Sequence, residues 1–107
     1  MNETDLKDKL RKQLRKLSAW CFSPVQTGMG QSGVPDIIAC VPYTITPEDV
    51  GKTLGLFIGI EAKMDNNVPT PLQEQQLTGI REAHGKALVA TGKKVRGLPY
   101  KVVEWRK

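Results

Sequence analysis

The chain has 107 residues, which suits one small domain around a single sheet and is too few for two. Hydrophobic residues make up 39% and charged residues 25%, an ordinary globular composition, while the formal charge of +5 and the pI of about 9.4 favour a polyanionic partner, nucleic acid or an anionic membrane surface. No apolar run approaches the roughly 18–20 residues of a membrane span, the first residues are too polar for a signal peptide, and one histidine, His84, with two cysteines at no metal-ligand spacing argues against zinc. Cys21 and Cys40 read as reduced core residues of an intracellular protein.

In chain order, residues 2–17 read as a helix. Asn2 is its N-cap, and Leu6, Leu10, Leu14 and Leu17 form an apolar stripe at helical spacing. The rest of its surface is dominated by Lys7, Lys9, Arg11, Lys12, Arg15 and Lys16. Such a run is either a solvated face or a phosphate-facing one. Residues 19–25, AWCFSPV, read as a strand, and GMGQSGVP as a glycine-rich loop. DIIACV at 36–41 is a short central strand, and residues 42–55, with Pro42, Pro47, Gly51 and Gly55, form a long connection or hairpin excursion. LFIGIEAK at 56–63 is a further strand.

Thr70-Pro71-Leu72-Gln73 carries a full helix-start signal: a threonine cap, proline in the first turn and the reciprocal glutamine of a capping box. That helix runs to His84 with Leu77 and Ile80 inward, and Gly85 stops it. ALVAT at 87–91 and YKVVEW at 100–105 are the last strands, joined by a Gly- and Lys-rich connection. The order α-β-β-β-α-β-β predicts an α/β (α+β) domain with a small mixed β-sheet flanked by helices.

Most charges in this chain fall in helices and loops, but two strands break that habit. Asp36 stands at the start of DIIACV, directly after Pro35, and Glu61 and Lys63 end LFIGIEAK. Strand alternation puts Glu61 and Lys63 on one side with Phe57 and Gly59, and Leu56, Ile58, Ile60 and Ala62 on the other. If the two strands pair, one carboxylate from each meets at the sheet edge with an ammonium beside them. Two hard oxygen ligands suit Mg²⁺ or Mn²⁺, and a lysine there can orient or deprotonate water and neutralise a phosphate. Taken singly, each residue is as well read as a solvated strand-end or turn residue. Taken together, they point to phosphodiester hydrolysis.

Gly33-Val34-Pro35-Asp36 followed by Ile60-Glu61-Ala62-Lys63 resembles the split motif of the PD-(D/E)xK nuclease superfamily. Within that superfamily the chain resembles a standalone, phage-type VRR-Nuc domain. Four features in order carry this: the glycine-rich lead into Gly33-Val34-Pro35-Asp36-Ile37-Ile38, the Glu61-x-Lys63 pair, the helix start Thr70-Pro71-Leu72-Gln73, and Gly85 before ALVAT. The resemblance spans nearly the whole chain. It implies a restriction-endonuclease-like core and a Mg²⁺- or Mn²⁺-dependent deoxyribonuclease, with Asp36 and Glu61 as metal ligands, the carbonyl of Ala62 as a further ligand and Lys63 acting on water. It also implies that an acid of the first helix reaches the metal and that Gln73 lies near the scissile phosphate or the lysine. Glu3, on the inward stripe with Leu6, Leu10 and Leu17, best matches that acid, with Asp5 second; a frayed acid favoured by the helix dipole fits Glu3 equally.

The basic side chains of Lys9, Lys12 and Lys16 on helix one and of Lys93, Lys94 and Arg96 beyond ALVAT are the candidate phosphate contacts. His84 is given no catalytic part. The implied substrate is DNA, branched as in a four-way junction, cut by a homodimer in the cytoplasm of a bacterial host if the chain is phage-encoded. Two rivals remain: a non-catalytic DNA-binding module, which fits the charge equally but has no need of two carboxylates that repel DNA, and an assembly protein that keeps only the fold.

Overall fold

The Asn2 side chain accepts from the Asp5 N–H at 2.8 Å, while the Asp5 carboxylate accepts from the Asn2 N–H at 3.4 Å. This capping box opens α1, Glu3–Lys16. The computed structural model describes residues 1–25, 33–92 and 100–107. The chain divides into two units, Met1–Tyr43 and Thr44–Lys107, and no helix among the described residues is long and apolar enough to cross a membrane.

In the first unit, α1 ends at Leu17, and Ser18 turns the chain through a left-handed conformation, φ 60°. β1 (Trp20–Phe22) then pairs antiparallel with β2 (Ile38–Cys40), setting Trp20 opposite Cys40 and Phe22 opposite Ile38. Residues i and i+2 of a strand share a face, so the Trp20 and Phe22 rings meet with centroids 5.3 Å apart. Neither cysteine is in a disulfide; Cys40 is buried and Cys21 half-buried.

The leucine stripe of α1 does not face inward as its spacing predicts. Leu6, Leu10 and Leu17 are exposed, and the half-buried face of the helix is Lys7, Arg11 and Leu14, again at helical spacing. A three-residue ribbon is a small surface to receive a fourteen-residue helix. What it offers is polar as well as apolar: the Arg11 guanidinium donates to Ser23 Oγ at 2.7 and 3.3 Å.

The second unit opens with the long connection. There Thr46 caps a short 3-10 turn, Pro47–Asp49, through its N–H and hydroxyl, both donating to the buried Asp49 carboxylate. β3 (Ile58–Met64), α2 (Pro71–Glu82) and β4 (Lys86–Gly92) follow. β3 and β4 are parallel, Ile58 opposite Lys86 through Met64 opposite Gly92, and parallel neighbours need a crossover, which α2 supplies. β5 (Lys101–Glu104) returns antiparallel along β4. The sheet is thus mixed, in the order β3-β4-β5.

The core of this unit lies between α2 and the sheet, where Leu77, Ile80, Ala83 and Ala87 are buried. Trp105 closes it, its indole N–H donating to Thr78 Oγ at 3.2 Å and its backbone N–H to the Ala87 carbonyl at 2.7 Å.

The element order is the α-β-β-β-α-β-β read from the sequence, with the 3-10 turn added, and the fold is a mixed α+β one. Two details differ. Among the described residues β2 pairs with β1, and β3 with β4, so the pairing of the two motif strands with each other is not one of the ladders. The end of α2 is turned by His84, in the left-handed region at φ 70°, one residue before the Gly85 that the sequence reading assigned to that duty.

Candidate active site

The motif residues fall into two groups, one in each unit. In the first unit Asp36 occupies a bend just ahead of β2, reached through Gly33 (φ 82°) and Pro35. The positive φ at Gly33 is one that a residue with a Cβ rarely adopts. The Asp36 carboxylate lies 3.8 Å from Lys7 Nζ, and the same ammonium lies 3.9 Å from Glu3 one helical turn earlier. Glu3 and Asp36 therefore share one cation. Glu3 is not buried on an inward stripe, as its spacing suggested; its side chain is 76% exposed. Asp5, the alternative acid, is committed to the N-cap. Lys9, Lys12 and Lys16 are exposed on α1.

In the second unit Glu61 and Lys63 stand on the face of β3 that α2 covers. The parity is set by Gly59, where a Cβ would meet Ile80 of α2; Glu61 and Lys63 follow at alternate positions. Their side chains are 27% and 18% exposed, with carboxylate and ammonium 3.5 Å apart. On the opposite face Ile58, Ile60, Ala62 and Met64 are exposed. Ala62 sits between the two charged residues, its backbone in the ladder opposite Ala90.

A charged pair on the covered side and aliphatic residues on the open side is the reverse of ordinary strand patterning. Removing charge from water is costly unless the groups are paired. Gln73 lies in the first turn of α2 and closes its capping box: Thr70 N–H donates to Gln73 Oε1 at 2.9 Å, and Gln73 N–H to Thr70 Oγ at 3.3 Å.

Within the first unit the structure brings together Glu3, Lys7 and Asp36, and within the second Glu61 and Lys63. Among the described residues no three Asp, Glu, Cys or His side chains are gathered as a metal cage. The carboxylates of Asp36 and Glu61 are hard oxygen donors of the kind a divalent cation takes, and each stands beside a lysine ammonium. Lys93, Lys94 and Arg96 lie outside the described residues. The residue that the sequence reading passed over is Lys7, counted there among the helix bases; its only sequence signal is its position one turn after Glu3.

No protein-family model matches the chain, and no curated protein matches it. Among solved structures it is similar to Hjc, a Holliday junction resolvase from the archaeal hyperthermophile Archaeoglobus fulgidus, at 20% identity over 94% of this chain and 75% of that one, with a TM-score of 0.37.

Proposed function

We propose that the chain is a divalent-metal-dependent endonuclease of the PD-(D/E)xK superfamily, of the VRR-Nuc kind, that hydrolyses phosphodiester bonds of branched DNA. The observation that carries this reading is the Glu61–Lys63 pair: a carboxylate and an ammonium two residues apart, 3.5 Å from each other and largely withdrawn from water on the helix-covered face of an otherwise aliphatic strand. It occurs in an ordered motif set that runs from the glycine-rich lead into Asp36, in a bend ahead of β2, through the capped start of α2 to Gly85 before β4.

In this reading Asp36 and Glu61, with the Ala62 carbonyl, hold Mg²⁺ or Mn²⁺, and Glu3 completes the set. When bound, such an ion supplies Lewis-acid polarisation of the phosphate and a more acidic water. Lys63 orients the attacking water, takes its proton when deprotonated, and offsets phosphate charge as an ammonium. Lys9, Lys12 and Lys16, with Lys93, Lys94 and Arg96, hold flanking phosphates.

The test is cleavage of single-strand, duplex, flap and four-way-junction DNA with Mg²⁺ and with Mn²⁺. Metal-dependent cutting with a preference for the junction is the expected result. DNA binding with no cleavage in either metal, and no metal binding by the free protein, would instead make the chain a non-catalytic binding module.

A further inference from the structure

The face of the second sheet that α2 covers changes character along its strands. At the level of Gly59 it is apolar, with the buried Ala87 opposite on β4. Four residues further along β3 stands Lys63. The register sets Thr91 of β4 opposite Lys63, and Lys101 of β5 opposite Thr91. Partners in register share a face of the sheet. Trp105 confirms the parity of β5: it lies four residues after Lys101, and its indole donates to Thr78 on α2. One polar row therefore crosses three strands in the order ammonium, hydroxyl, ammonium. Its outer Cα atoms are roughly 10 Å apart, two strand spacings.

The two ammoniums of this row differ in their surroundings. Lys63 is 18% exposed and already faces the Glu61 carboxylate at 3.5 Å. Lys101 is exposed, and among the described residues no carboxylate pairs with it. The nearest acid along its own strand, Glu104, is taken by Arg106. The row thus carries an uncompensated positive charge at its β5 end, with the half-buried Thr91 between the two lysines.

We propose that Lys101 holds the backbone phosphate next to the one that is cut, with the Thr91 hydroxyl donating between it and Lys63. The proposal deepens the reading of the chain as a nuclease and rests on Lys63 standing at the scissile phosphate. The ladder fixes the spacing of the three residues, and the flexible lysine stems let both ammoniums reach neighbouring phosphates of one strand. A contact to a phosphate that does not react is made as fully before the transition state as in it, so it acts on binding and not on the chemical step.

The experiment measures binding of a four-way-junction oligonucleotide by the intact protein, without divalent metal, over a range of NaCl, and then cleavage with Mg²⁺ at varied substrate. Lys101→Gln is expected to weaken binding on the order of threefold to tenfold and to lower the slope of log K against log [NaCl] by about 0.9, the counter-ion release at one phosphate. KM should rise by a similar factor, with kcat kept within about twofold. Lys101→Arg should restore the slope. Thr91→Val keeps the branched shape and loses the hydroxyl, so binding should weaken with the slope unchanged. Lys86→Gln removes one charge from the uncovered face at the other end of the sheet, opposite Ile58, and should leave slope and KM as they are. Wild-type slope and KM in Lys101→Gln, while the wild-type protein cuts junctions, overturns the inference and leaves the nuclease reading standing. The same losses in Lys86→Gln would trace them to net charge and overturn it as well. A slope lost only at Lys101, in a protein that cuts nothing, keeps the phosphate contact and overturns the nuclease reading.

Discussion

A Cβ built on Gly59 would stand 2.5 Å from Cδ1 of Ile80, so α2 meets β3 where a larger residue would have to displace that terminal methyl. Two residues further along the same face stands Glu61, and two beyond it Lys63. The close approach of helix to strand therefore fixes the floor from which the charged pair projects. Gly59→Ala should cost about 1–3 kcal/mol by overpacking. Ile80→Val alone should cost about 0.5–1.5 kcal/mol. Because it removes the offending Cδ1, it should cost less in the Gly59→Ala background, a coupling that a double-mutant cycle in urea resolves. Additive costs would show that the two atoms do not compete for one space.

The proposed division of labour predicts different failures at the carboxylates and at the lysine. Asp36→Asn and Glu61→Gln should lose the thermal stabilisation that Mn²⁺ gives by mass action and lose cleavage, while keeping much of the DNA binding. Lys63→Ala should bind Mn²⁺ as wild type does and cut on the order of 10²–10⁴-fold more slowly. Calorimetry with unchanged Mn²⁺ affinity in both carboxylate variants would remove them as ligands. Near wild-type cleavage by Lys63→Ala would reduce that residue to a structural partner of Glu61.

Gln73 has a structural duty that can be separated from a catalytic one. Its side chain accepts from the Thr70 N–H, and glutamate serves that capping box as well as glutamine. Gln73→Glu should therefore leave stability within about 0.5 kcal/mol of wild type, whereas Thr70→Ala should lose about 0.5–2 kcal/mol. If Gln73 lies near the phosphate, the added negative charge of Gln73→Glu slows cleavage although the helix is intact. Unchanged cleavage in a stable Gln73→Glu would leave the residue as a cap alone.

What the sequence made legible depended on how local the cause is. The capping boxes at Asn2 and Thr70 are written within four residues, and both form. The α2 core positions Leu77 and Ile80 follow from period alone because the helix packs on β3 and β4, where both side chains are buried. The stripe on α1 misled for the converse reason: a leucine row specifies a buried face only if a surface exists to cover it, and the β1–β2 ribbon is three residues long. Glu61 and Lys63 were legible because strand parity is strict. The Lys7 contact with Asp36 was not, since it depends on how the bend after Gly33 returns toward α1.

Assembly is the remaining prediction. One centre of this kind cuts one strand, and a chain of 107 residues covers too few phosphates to grip DNA strongly alone. Two-fold dimers are the commonest oligomers, and exposed aliphatic clusters mark contact surfaces. The long connection carries such residues in Ile45, Val50 and Leu54, all more than half exposed, and Tyr100 lies 73% exposed ahead of β5. A two-fold dimer would present two centres of opposite polarity, which suits paired nicks across a four-way junction. Light scattering should therefore give a dimer at working concentration, and end-labelled junctions should show cuts at symmetry-related positions in opposing strands. Val50→Asp with Leu54→Asp should yield a monomer that makes single, unpaired nicks. A wild-type monomer that prefers flaps or free ends would replace this picture with a single-nick enzyme, and a dimer unaffected by the two substitutions would move the contact away from the connection.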